Sequence, residues 1–192
     1  MEKQDAKIAE RFSAAVLCGG KSSRMGREKA ELLYRGVSFL DLQINKLRSI
    51  GIEDILIAGH SDPGPGTRPV RDVFPGKGPL SGIHAALQQA ENERILVLAV
   101  DMPLLPAEHL LSLLEEENAD AVLWSSDGRT QPLPGVYSKK LLPLCEEILQ
   151  GNRTSVRMLL DRCSVCAIEY TKDPEYLSNC NTPEEYRRLT AR

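Results

Sequence analysis

The chain has 192 residues and a mass of 21.2 kDa, which is room for roughly one domain with a single sizeable core. Apolar residues make up 42% and charged residues 27%; this excludes extended disorder, collagen and a coiled coil, and no apolar run approaches the roughly 20 residues of a membrane span. A net charge of −3 with a pI near 5.7 argues against a nucleic-acid partner, while leaving room for a local basic site. Residues 1–12 are polar, read as a flexible N-terminus without the apolar stretch of a secretory signal, and residues 13–192 read as one domain. Five cysteines without framework spacing fit reduced thiols in a cytoplasm. Short apolar runs at 14–18, 54–59, 68–73, 94–100, 120–124, 134–137 and 165–170 read as strands. Several are nearly continuous in Val, Ile, Leu and Ala, as in a parallel sheet buried on both faces. Between them lie helical patterns. The first, 38–50, puts Leu40, Ile44 and Leu47 on one face and stops at Gly51. Those at 79–90 and 106–117 begin with Pro in the first turn. Shorter patterns cover 141–149 and 155–162. A capping box, Thr182-Pro183-Glu184-Glu185, starts the last helix. The alternation predicts a three-layer α/β domain, Rossmann-like, with a mostly parallel sheet and right-handed crossovers.

In such a sheet ligands bind beyond the carboxyl ends of the strands. The first strand runs into LCGGKSSRMGREK (17–29), which holds three glycines and four cations. Glycines let backbone N–H groups approach oxygens closely, and Lys21, Arg24, Arg27 and Lys29 are suited to phosphate charge. Five residues separate Gly20 from Gly26, so this is not the phosphate loop of ATPases, and the dinucleotide fingerprint fails as well. An ordinary glycine-rich turn with solvated cations has the same composition. The strand at 94–100 ends in Asp101, followed by Met102 and Pro103. A carboxylate there suits Mg²⁺ beside a polyphosphate, and it equally suits a turn. Asp72 precedes a Pro/Gly loop running to Gly82, placed either to meet a base or ribose or to cap a turn. Asn179 and Asn181 stand just before the last helix, where turn chemistry also favours Asn. Cys163 and Cys166 form a CxxC that lacks a second ligand pair for zinc. The three histidines are too scattered for a metal site.

On these residues the chain resembles the nucleotidyltransferases that build pyrophosphate-linked compounds, and more narrowly the molybdenum cofactor guanylyltransferase (MobA) family. The resemblance rests on L-C-G-G-x-S-x-R-M-G-x-x-K from Leu17 to Lys29, and on Asp72 with the loop through Gly82. Val100-Asp101-Met102-Pro103, Gln131-Pro132-Leu133 and Asn179-Cys180-Asn181-Thr182-Pro183-Glu184-Glu185 complete it. It spans about residues 13–188. It implies a Rossmann-like fold and transfer of GMP from GTP to the terminal phosphate of Mo-molybdopterin, with Mg²⁺ as cofactor. It implies that Leu17, Cys18, Gly19 and Gly20 form the nucleotide loop and that Lys29, with Arg24, serves phosphate charge. Asp72 would contact the guanosine and Asp101 would hold the metal. Gly82, Asn179 and Asn181 would lie toward the second substrate, and molybdoenzymes or their chaperones would receive the product. Two departures are visible: Cys18 stands where alanine is usual, and Ala58 where the family offers a side-chain amide to the nucleotide. Cytidylyl transfer, transfer to another phosphorylated metabolite, and a non-catalytic cofactor-binding chaperone are the rival readings.

Overall fold

In the computed structural model, residues 9–19 and 28–191 are described. Among these residues nine strands form: β1 (Phe12–Leu17), β2 (Leu33–Tyr34), β3 (Val37–Ser38), β4 (Ile55–Ala58), β5 (Arg68–Val70), β6 (Arg94–Ala99), β7 (Ala121–Ser126), β8 (Arg129–Ser138) and β9 (Val165–Glu169). Seven of them make one sheet in the order β5-β4-β1-β6-β8-β7-β9, and β2 and β3 pair apart as a small hairpin. All pairings in the large sheet are parallel except those of β8, which runs antiparallel to both β6 and β7.

The helices are α1 (Phe39–Ser49), α2 (Pro79–Gln89), α3 (Leu111–Leu114), α4 (Leu142–Gln150), α5 (Val156–Leu160) and α6 (Pro183–Thr190). Their starts follow local chemistry. Ser38 caps α1 by accepting from Asp41 N at 3.0 Å, Pro79 fits the first turn of α2, and Thr182 with Glu185 forms the capping box of α6.

Successive strand residues point to opposite faces, and the core divides accordingly. Ala14, Val16, Ile57, Leu96 and Leu98 pack under α1, α3 and α6 on one side. Ala15, Leu17, Leu56, Ile95 and Val97 pack under α2, α4 and α5 on the other. Three layers result, as the alternation predicts.

Four expectations change. Ala9 and Phe12 are fully buried in the core, so ordered structure starts before residue 13. β5 ends at Val70, not 73, which leaves Asp72 in a loop. The 106–117 helix divides into a 3-10 turn, Ala107–Leu110, followed by α3. β7 and β8 extend past their apolar runs into a hairpin. Its turn is Asp127-Gly128, with φ of 52° and 70°, the left-handed pair that a two-residue hairpin needs.

Candidate active site

The chain fills one side of β1 first, with β4 and β5, and then the other, starting with β6. That reversal opens a crevice beyond the carboxyl ends of β1 and β6. Its floor is tightly tied. Val100 N donates to Leu17 O at 3.1 Å and Cys18 N to Ala58 O at 2.8 Å. Gly59 lies under the loop that leaves β1, with φ at +82°; a Cβ on it would stand 2.8 Å from Gly19 N. No residue with a side chain fits there without parting the two loops. A Cβ on Gly82 would stand 2.9 Å from Leu17 Cδ2, so this glycine lets the first turn of α2 rest on the end of β1.

Lys29 opens a 3-10 turn, Lys29–Glu31, pinned by buried Ala30 and Leu32 and by Phe39 N donating to Leu32 O at 2.8 Å. Its Nζ donates to Asp101 Oδ2 at 2.6 Å and to Asn181 Oδ1 at 2.5 Å. The side chains of Lys29 and Asp101 are only 18% and 11% exposed, so water screens the pair far less than a surface ion pair. Asn181 is aimed by α6: its N–H donates to Glu185 Oε2 at 2.6 Å, while Cys180 N donates to Asp101 O at 2.8 Å. The backbone donors of Asn181 and Thr182 hold the Glu185 carboxyl below its usual range. Tyr186 closes the arrangement by donating from its hydroxyl to Leu33 O at 2.8 Å.

Three of the expected site residues thus meet in one cluster. Asp72 does not join it: Oδ1 accepts from Phe74 N at 2.8 Å and Oδ2 from Ser81 Oγ at 2.9 Å, tying the loop after β5 to the start of α2. Asn179 is exposed and lines a cleft of about 230 Å³ beside the cluster, with Pro103, Leu104 and Arg188. Leu17, Cys18 and Gly19 form the crevice floor. Burial, helped by the charge of Glu28, pushes the Cys18 thiol up to about 12, so it stays protonated and is no nucleophile. Gly20 and Arg24 lie outside the described residues, as do Lys21 and Arg27.

Sequence reasoning missed Gln43 and Lys46, whose side chains reach from α1 to the segment after β6. Gln43 Nε2 donates to Met102 O at 3.1 Å and Lys46 Nζ to the same oxygen at 2.9 Å. Their signal was a polar residue at 43 inside the apolar stripe of Leu40, Ile44 and Leu47. His60 was missed too; its Nδ1 lies 2.9 Å from Glu28 Oε2, just ahead of Lys29.

Asp101 and Asn181 present two hard oxygens to one cationic group. Among the described residues no group of three or more His, Cys, Asp or Glu forms a metal cage. One carboxylate with a neighbouring amide oxygen fits Mg²⁺, which completes its shell with substrate phosphate oxygens and water.

The reversed α/β sheet, with its crevice at the strand ends, is the fold of a nucleotidyltransferase domain. Residues 14–166 match the MobA-like NTP transferase domain, and the chain belongs to that family. It is 36% identical over 188 residues to a probable molybdenum cofactor guanylyltransferase of Carboxydothermus hydrogenoformans, covering 94% of this chain and 95% of that protein. A probable molybdenum cofactor guanylyltransferase of Flavobacterium johnsoniae is 33% identical over 186 residues, covering 94% of this chain and 97% of that protein. The fold is shared with molybdopterin-guanine dinucleotide biosynthesis protein A from Archaeoglobus fulgidus, at a TM-score of 0.76 and 24% identity, over 93% and 97% of the two chains. It is also shared with 2-C-methyl-D-erythritol 4-phosphate cytidylyltransferase from Thermus thermophilus, at 0.70 and 17%, again over 93% and 97%. No helix among the described residues is long and apolar enough to cross a membrane.

Proposed function

We propose that the protein is a Mg²⁺-dependent molybdenum cofactor guanylyltransferase. It transfers GMP from GTP to the terminal phosphate of Mo-molybdopterin, acts in the cytoplasm, and delivers its product to molybdoenzymes or their chaperones. The observation that carries this reading is the meeting of Lys29, Asp101 and Asn181 at the strand-end crevice, in a chain whose relatives bear that name.

A phosphate monoester is already largely ionised near neutral pH, its second pKa being about 6. Its oxygen attacks the α-phosphorus of GTP, the bond to the β-phosphate oxygen breaks, and pyrophosphate leaves with the electron pair. No strong general base is needed. The protein must bring two polyanions into line and disperse their charge, which is positioning and electrostatic work. Lys29 supplies a fixed cation for the phosphates. Asp101, with Asn181 beside it, would hold the metal, which when bound would supply Lewis-acid neutralisation of the phosphate charge. The loop from Asp72 to Gly82 receives the base and ribose on the β5 side. Asn179 and its cleft face the acceptor. Arg24 serves as a second phosphate cation, and the backbone of residues 17–19 lines the triphosphate.

The test is pyrophosphate release by the purified protein with Mg²⁺ and molybdopterin, offering GTP and CTP separately. Release with GTP alone, and a guanine dinucleotide product by mass, is expected. Release with CTP alone would overturn the base assignment, and nucleotide binding without release would overturn the enzyme reading.

A further inference from the structure

Residues 100–103, which carry Asp101, form neither ladder nor helix, yet every carbonyl among them is bound from outside. Val100 O accepts from Gln43 Nε2 at 3.3 Å, and Asp101 O from Cys180 N at 2.8 Å. Met102 O accepts from Gln43 Nε2 at 3.1 Å and from Lys46 Nζ at 2.9 Å; Pro103 O accepts from Lys46 Nζ at 3.2 Å. The remaining contact of the ammonium is Gln43 Oε1 at 3.3 Å, so its three donors meet three neutral acceptors. Gln43 is fully buried. Lys46 is largely desolvated and has no carboxylate partner among the described residues; burial pulls it down to about 7. A core that needed only volume at position 46 would be served better by an apolar residue.

We propose that Lys46 and Gln43 are positioning residues for the transfer reaction: by clamping the carbonyls of Val100, Met102 and Pro103 they fix the direction in which Asp101 presents its carboxylate to Lys29 and the bound nucleotide. This rests on the function proposed above. A displacement of about 1 Å in such a group costs on the order of 10²-fold in rate, and the clamp acts on the segment that carries Asp101.

The test uses the full chain with K46M, which keeps the length of the side chain and removes its donors, and Q43L, which removes the other half of the clamp without touching the charge. Expected is a fall in kcat of at least about tenfold with the KM for GTP within about threefold, measured on folded protein well below each variant's own melting transition. Amide exchange at Cys180, whose N–H bonds Asp101 O, should quicken, while amides of α4 stay protected. A kcat within about twofold of wild type in both variants overturns the proposal. So does a loss of rate that only follows a loss of folded protein. If the wild type itself makes no guanine dinucleotide, the function reading fails on its own. The clamp is then judged by exchange at Cys180: faster in K46M upholds it, unchanged overturns it.

Discussion

Two aspartates sit at opposite strand ends of the same sheet. Asp54, just before β4, is saturated. Its Oδ2 accepts from Ser13 Oγ at 2.5 Å and Glu91 N at 2.9 Å, and its Oδ1 from Arg68 Nη2 at 2.5 Å and Nε at 3.2 Å. Burial works to raise this carboxyl, but the donors from Glu91, Ser13 and Arg68 together hold it below its ordinary value. Asp101, just after β6, accepts from Lys29 through Oδ2 alone, and its other oxygen accepts nothing among the described residues. A carboxylate with every lone pair engaged is a structural tie. One with capacity left over, held in place through its backbone, is equipped to bind something that arrives.

The comparison breaks most sharply at Asp101. Replacing it with Ala should lower kcat by about 10²–10³ or more at saturating Mg²⁺, with the melting temperature nearly unchanged. Steady-state kinetics and thermal unfolding check both halves. Asp54→Ala should do the reverse, costing about 1–3 kcal/mol in urea unfolding because the buried Ser13 hydroxyl loses its acceptor and Glu91 N and Arg68 lose theirs nearer the surface, while kcat well below the transition stays within about twofold. Lys29→Ala should lower kcat/KM for GTP by about tenfold or more, and an unchanged value would remove it from the site.

Two further effects lie on the pH axis. Asp54 has a folded-state pKa below its unfolded value, so its stabilisation is present above that value, 3.8, and is lost as pH falls through the folded one. Asp54→Ala should flatten the acid arm of stability. Lys46 has a folded value near 7 against 10.5 unfolded. Between them the unfolded chain binds more protons, so stability should climb with pH by up to about 1.4 kcal/mol per unit. K46M should remove that climb, as urea midpoints from pH 7 to 10 would register.

The sequence pattern made the layers legible because seven strands and their helices bury continuous apolar runs. It lost the outer ends of β7 and β8, where Ser125, Ser126, Thr130 and Gln131 carry the pairing through backbone groups that polar residues supply equally well. At the site, Lys29, Asp101 and Asn181 were nameable because each stands in a family motif, Asp101 just after an apolar strand and Asn181 just before the capped last helix. That one ammonium touches both others was not nameable, since it is a contact across 72 and 152 residues. Asp72 illustrates the converse: the residue was visible and its turn geometry was foreseeable, but its service to Ser81 and Phe74 was not. Gln43 and Lys46 escaped because their partners are backbone carbonyls, which leave no mark in side-chain spelling.

The distance along the chain between Lys29 and Asn181 also sets an order of events. A ribosome makes Lys29 and Asp101 long before Asn181, and contacts between remote segments must wait for the loop between them to close. A nascent chain with β1, β4 and β6 already paired carries an Asp101 carbonyl without its Cys180 amide and a Lys29 with one of its two oxygens missing. The contacts of Asn181 with Lys29 and of Cys180 with Asp101 form only once the segment leading into α6 has been synthesised and has docked, so the cluster is the last part of the crevice to be completed.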